Sequence, residues 1–261
     1  MDTKNPSPKA RLSLTPSTLL APVPVVLVSC HGMPGSERDK ANLITLAWVG
    51  TICSEPPMIS ISIRKSRFSH RLIKETGEFV VNLVNEPLLK ATDFCGVKSG
   101  LNVDKFSACG LTAIPMAGMA YAPAVAESPL SLGCKVRQIL ELGSHDCFIA
   151  EITSVEAAAG VMDQGNRLRL DLAGLVTYVH GDYRLLAGKA GFFGYSVAAP
   201  DVLARRLPSA AVKEGTDNAV KTGKTTKSDE TKRTGKSPRT GKATKPAKTG
   251  KYVKKARKAK K

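Results

Sequence analysis

The sequence predicts a mainly β fold with short helices, built as a closed or partly closed barrel with helical insertions. Three observations predict it. Residues 58–64, MISISIR, alternate Ile59, Ile61 and Ile63 with Ser60 and Ser62, the period-two pattern of a half-buried strand. Residues 130–142 and 146–156 read as two long strands, with Gly143-Ser144 between them as turn chemistry. Candidate strands outnumber candidate helices, and the helices are too short for regular β–α–β alternation, so a doubly wound parallel sheet is disfavoured.

The elements follow in order. Residues 1–18 are polar and proline-containing and read as a flexible arm. A strand begins near Pro24, where Val25, Val26, Leu27 and Val28 are apolar and mostly β-branched. HGMPGSERDK, residues 31–40, is a loop by composition. Residues 42–53 return to β-forming types, and Glu55-Pro56-Pro57 punctuates before the Ile/Ser strand. A short helix is expected next, capped by Ser66 or Ser69, buried through Leu72 and Ile73, and stopped at Gly77. Residues 78–84 (EFVVNLV) read as a strand. Asn85-Glu86-Pro87 opens a second helix running to Gly96. Asn102 or Asp104 starts a third, ending at Gly110. Residues 172–179 and 183–186 are shorter strand candidates around Gly181-Asp182.

Composition bounds the function classes. The chain has 261 residues, 42% apolar and 23% charged, enough for one or two globular domains. No apolar run approaches the roughly 18 residues of a membrane helix, and residues 19–30 are interrupted by Pro22 and Pro24. The N-terminal residues carry no apolar signal-peptide core, so neither secretion nor membrane contact is expected and a cytoplasmic location is. The net charge of +17 is unevenly spread: residues 213–261 hold eighteen Lys and Arg against four acidic residues, and the rest of the chain is nearly balanced. Thr-Gly-Lys recurs at 222–224, 234–236, 240–242 and 249–251, in a segment with almost no apolar content beyond alanine. The expected organisation is an arm over 1–18, one domain over 19–200, and a disordered Lys-rich low-complexity tail over 201–261.

Several motifs are absent or false. Gly188, Gly191 and Gly194 do not have G-x-G-x-x-G spacing. Gly223-Lys224-Thr225 and Gly235-Lys236-Ser237 imitate the end of a P-loop but lack its earlier glycine. The six cysteines form no C-x-x-C pair and read as reduced thiols, and no metal site is expected.

Three groups of residues carry chemistry. Residues 42–51, from Asn42 through Thr45 and Trp48 to Thr51, hold the only tryptophan. They fit either a strand whose Trp fills the core or a polar-lined wall beside a flat ligand. Arg64-Lys65-Ser66-Arg67-Phe68-Ser69-His70 lies where a strand ends and a helix begins. Cations, hydroxyls and free helix N–H groups together suit a phosphate, although a solvated charge run with an N-cap has the same composition. The third group joins residues 95–106 with Gly143-Ser144-His145-Asp146. A Gly-rich loop and charged turn there can approach a ligand closely, or His145 can be an ordinary turn histidine.

Residues 22–155 resemble the flavin reductase-like family of flavin-mononucleotide (FMN)-binding split barrels, in particular its flavoredoxin-type branch. The resemblance is carried by PVPVVLVSC, by ANLITLAWVGTICSEPPMISISIRKSRFSHRLIKETGEFVVNL, by DFCGVKSGLNVDKF and by ELGSHDCFIAEI, in that order and spacing. It implies a six-stranded antiparallel barrel, dimeric, with FMN in a cleft at the subunit interface. By resemblance, Asn42, Thr45, Trp48 and Thr51 match the ring and ribityl wall. Arg64, Ser66, Arg67 and Ser69 match the phosphate side, Lys105 a cofactor-contacting lysine, and Tyr178 a late aromatic packing on the cofactor. His145 matches the histidine of a Gly-Asp-His turn near flavin and nicotinamide, although Ser144 here replaces the acidic residue. The implied activity is transfer of reducing equivalents from NADH or NADPH to flavin. The alternative is a flavin-binding electron-transfer or sensor protein without turnover. Independently, the cations of 213–261 suit nucleic acid or another polyanion through counterion release.

Overall fold

A computed structural model describes residues 11–186 and 188–207. Of the expected arm over 1–18 and the expected disordered tail over 201–261, residues 1–10 and 208–261 lie outside the described residues; 11–18 hold no helix or strand, whereas 201–206, expected to be disordered, are helical. Described residues up to 190 form one compact unit, and those from 191 onward form a second. In the second, a 3-10 turn at Tyr195–Val197 precedes a short helix at Pro200–Arg206, and the Arg206 guanidinium lies 4.1 Å from the centre of the Phe192 ring.

The first unit is an antiparallel β structure with short helices. Its strands are β1 (Val23–Pro24), β2 (Val26–His31), β3 (Ala41–Leu46), β4 (Val49–Ser54), β5 (Pro57–Arg64), β6 (Glu78–Leu83), β7 (Ala113–Ile114), β8 (Ala124–Val125), β9 (Leu130–Leu142), β10 (His145–Ala157), β11 (Val176–Val179) and β12 (Asp182–Leu185). Its helices are α1 (Phe68–Thr76), α2 (Leu89–Val97) and α3 (Lys105–Cys109).

The main sheet has seven strands, in the order β3-β2-β6-β9-β10-β5-β4, where six were expected. The extra strand arises because residues 42–53 break into β3 and β4 at Ala47-Trp48. Those two strands are the outer strands of the sheet yet are joined by only two residues. The sheet therefore curls until its first and last strands meet, and Trp48 sits at the seam. Its carbonyl accepts from the Ser62 N–H of β5 at 3.0 Å. A three-stranded ribbon, β1-β11-β12, and the small β7-β8 pair complete the unit.

Side-chain alternation sorts the residues. Ile59, Ile61 and Ile63 all point into the barrel, with Val26, Val28, Phe79, Val81 and Phe148. Leu27 of β2, and Val25 just before the strand, face outward into a second apolar cluster with Leu43, Leu88, Cys95 and Phe106. β2 is thus covered on both sides, which explains the apolar run over residues 25–28 that leads into and through its first half. Leu72 and Ile73 of α1 close one end of the barrel, and burial of each contributes roughly 1.5–3 kcal/mol.

Helix ends agree with the sequence reading at their C-termini more than at their starts. Gly77 and Gly110 both adopt the left-handed conformation that stops a helix (φ 72° and 62°). Asp104 caps α3 by accepting from the Ser107 N–H at 3.1 Å. For α1 the cap is Arg67, which makes no side-chain cap bond, rather than Ser66 or Ser69. Ser69 lies inside the first turn and its hydroxyl accepts from Asn42 instead.

Candidate functional site

Three cavities adjoin the seam. The first, about 440 Å³, is lined by Asn42, Arg64, Ser66, Arg67, Ser69, Lys98, Gly100 and Lys105 among others. It lies where β5 ends and α1 begins, so two guanidinium groups, hydroxyls and the first turn of a nine-residue helix share one wall. The second, about 160 Å³, is lined by Thr45, Trp48, Ser62, Arg64, Arg67 and His145 among others. Ile44, Arg64 and Arg67 line both, so the two are compartments of one trough. A third, about 440 Å³, lies beside Trp48 and is reached from the N-terminal segment.

Asn42 is held by its surroundings. It is buried on β3, and its Nδ2 donates to Ser69 Oγ at 2.7 Å, which ties the strand to the first turn of α1. A Cβ on Gly100 would land on Asn42 Oδ1, so the glycine is what lets the 98–100 loop come this close.

Lys105 is buried too. Its ammonium donates to the carbonyls of Leu43 at 2.6 Å and Cys95 at 2.8 Å, linking β3 to α2 from the first residue of α3. Burial pushes its pKa down, and the neighbouring Arg67 adds to that while Cys95 opposes it. Lys105 therefore organises the cavity floor as well as lining it. Cys95 lines the same cavity with its Sγ 3.9 Å from that of Cys109, and burial pushes the Cys95 thiol up to about 12.

At the other compartment Trp48 is 45% exposed rather than filling the core. Its ring centre lies 4.6 Å from that of His145, with the planes tilted by 43°. His145 is the first residue of β10 and stands opposite Arg64 in the β5 ladder. Burial and then the Arg64 charge lower its pKa below the ordinary histidine value, favouring neutral imidazole. Ser144, in the place of the expected acidic residue, supplies a hydroxyl 2.8 Å from His145 Nδ1.

The structure thus brings Asn42, Thr45, Trp48, Arg64, Ser66, Arg67, Ser69, Lys105 and His145 to one trough. Thr51 and Tyr178 line none of the three cavities. Thr51 is exposed on β4, and Tyr178 packs in the outer cluster with its ring centre 5.7 Å from that of Tyr183. Sequence reading gave no individual role to Lys98, which fell within the 95–106 group and is a fourth cation at the larger compartment, or to Ser62, which lines the smaller one. The Ile/Ser alternation already placed Ser62 outside the barrel, and that was the available signal.

The donor set fits a phosphorylated flat-ring cofactor: cations and helix N–H groups at one end, an indole and a neutral imidazole at the other. The comparisons agree. The chain is 34% identical over 117 residues to an uncharacterised protein of Archaeoglobus fulgidus, covering 45% of this chain and 66% of that protein. It is 25% identical over 116 residues to the reductase component of 4-nitrophenol 4-monooxygenase/4-nitrocatechol 2-monooxygenase of Rhodococcus opacus, covering 44% of this chain and 58% of that one. Among solved structures, flavoredoxin of Desulfovibrio vulgaris (Miyazaki F) superposes with a TM-score of 0.63 at 28% identity, covering 69% of this chain and 95% of that one. The family model for the flavin reductase like domain matches residues 19–186, and on that match the chain belongs to the flavin reductase-like family.

Proposed function

We propose that the protein binds FMN and passes reducing equivalents to it from NADH or NADPH, as a homodimer. The observation that carries this reading is the sharing of Arg64 and Arg67 between the two compartments of the trough. Arg64 and Arg67 hold the phosphate by charge-assisted bonds, Lys98 adds charge, and Ser66 and the first turn of α1 supply further donors. Asn42 presents a side-chain amide fixed by Ser69 to the ribityl segment. Trp48 offers an indole face to the ring. His145, with Nδ1 next to the Ser144 hydroxyl, offers Nε2 to nicotinamide or to charge developing on the ring. Bound FMN itself supplies the hydride chemistry; the chain orients the reactants and sets their electrostatic surroundings.

The visible spectrum of the purified protein tests the cofactor. Bands near ~370 and ~450 nm that bleach with NADH or NADPH support both parts of the reading, since the colour belongs to the cofactor. Bands that persist under both donors instead indicate a flavin-binding electron-transfer protein. Arg64→Glu combined with Arg67→Glu should weaken FMN binding by about 100-fold or more, because two charge-assisted bonds become repulsions. Unchanged affinity in a folded double variant overturns the assignment.

A further inference from the structure

The third cavity is chemically unlike the trough beside it. Its walls include Leu20, Val23, Trp48 and Val49, with the hydroxyls of Ser60 and Ser62 on one side. Among the described residues that line it, none is ionisable. It shares Ala47, Trp48 and Ser62 with the His145 compartment, so Trp48 borders both a charged chamber and an uncharged one. Leu20 is 83% exposed at its mouth, apolar surface that the described residues leave largely uncovered.

These features select a ligand class. Phosphates are disfavoured, because nothing in the chamber repays the loss of their hydration. A volume of about 440 Å³ lies within the range of small-molecule sites and suits a one- or two-ring compound. The electron-rich indole favours an electron-poor ring in offset contact. The Ser62 hydroxyl can donate to a carbonyl oxygen on its rim, and the Ser60 hydroxyl, which makes only a long 3.4 Å bond to the Gly50 carbonyl, can turn to do the same. We propose that this chamber binds an uncharged planar carbonyl compound of the quinone class. Its role as electron acceptor rests on the proposed function; its binding does not.

The chain has one tryptophan, so intrinsic indole fluorescence reports on the wall that this chamber shares with the trough, and the variants below separate the two. The full-length protein is titrated with menadione and, separately, with a naphthoquinone sulfonate. Saturable quenching by menadione, and binding of the sulfonate weaker by about tenfold or more, are expected from the missing charge partner. Leu20→Asp puts a carboxylate at the mouth on an exposed position that the fold does not need. It should weaken menadione binding by about tenfold while leaving FMN affinity unchanged. Ser60→Ala should weaken it by about fivefold through the lost donor.

Non-saturable quenching overturns the proposal. So does equal menadione affinity in Leu20→Asp, or binding that disappears in the Arg64→Glu, Arg67→Glu variant. FMN titration is read separately: a protein that binds menadione in this pattern but never FMN would retain the chamber and lose the flavin reading.

Discussion

Gly100 and Asn42 show how a single atom decides the geometry of the trough. The backbone of Gly100 does not need glycine for its torsion angles; it needs the absence of a Cβ, because that atom would land on Asn42 Oδ1. Asn42 cannot retreat freely, since its Nδ2 is bonded to Ser69 and the residue is 2% exposed. Gly100→Ala must displace either the loop or the amide. Overpacking of this kind typically costs about 1–3 kcal/mol. The expected outcome is a lower Tm together with FMN affinity reduced by about tenfold, read by thermal melting and flavin titration, since the displaced groups line the anion-binding compartment. Wild-type affinity and stability in Gly100→Ala would show that the loop yields without disturbing Asn42.

Between elements, the contact that fixes α1 against β10 is electrostatic. Asp146 of β10 is 1% exposed; its Oδ2 lies 2.8 Å from His70 Nε2 of α1, and its Oδ1 lies 3.3 Å from Lys65 Nζ. Burial alone would raise the carboxyl, but the His70 hydrogen bond and Lys65 outweigh it and hold the pKa below the ordinary value of 3.8. With the folded value depressed, the unfolded chain binds more protons in acid. The contribution is therefore present above the unfolded pKa and is lost as pH falls through the folded one. Thermal melts of wild type and Asp146→Asn should run at a constant offset near neutral pH and converge below about pH 4. Parallel curves down to acid would show that the carboxylate charge contributes nothing to this junction. Neither residue's role was legible in the sequence, because the partners are 76 positions apart and only the closed barrel brings them together. The same holds for Lys105, whose two acceptors are backbone carbonyls that no side-chain pattern announces. What was legible is local: the Ile/Ser alternation, the glycines that stop α1 and α3, and the turn between β9 and β10. Trp48 falls between these cases. Its segment is recognisably β-forming, but the break that puts the indole at the seam follows from sheet closure.

For the whole molecule, charge and structure divide the chain in different ways. Residues 1–212 carry a small excess of positive charge, while residues 213–261 hold eighteen Lys and Arg against four acidic residues. The trough therefore depends on a few placed cations, Arg64, Arg67, Lys98 and Lys105, and not on the net charge of the chain. A polyanion would instead respond to the summed charge of the C-terminal segment. Such binding releases counterions and falls steeply with salt, by about a thousandfold between 50 and 200 mM for some six neutralised phosphates. Tyr252 is the only aromatic residue in that segment, so base stacking adds little and binding should be indifferent to nucleic-acid sequence. Removing residues 213–261 should abolish salt-sensitive binding to duplex DNA while leaving FMN affinity at its full-length value. Arg64→Glu with Arg67→Glu should do the reverse. Fluorescence anisotropy with labelled DNA at two salt concentrations, run beside flavin titration on both variants, checks the division. DNA binding that survives the truncation would place the polyanion contact on the β unit, where it would compete with FMN for the same arginines.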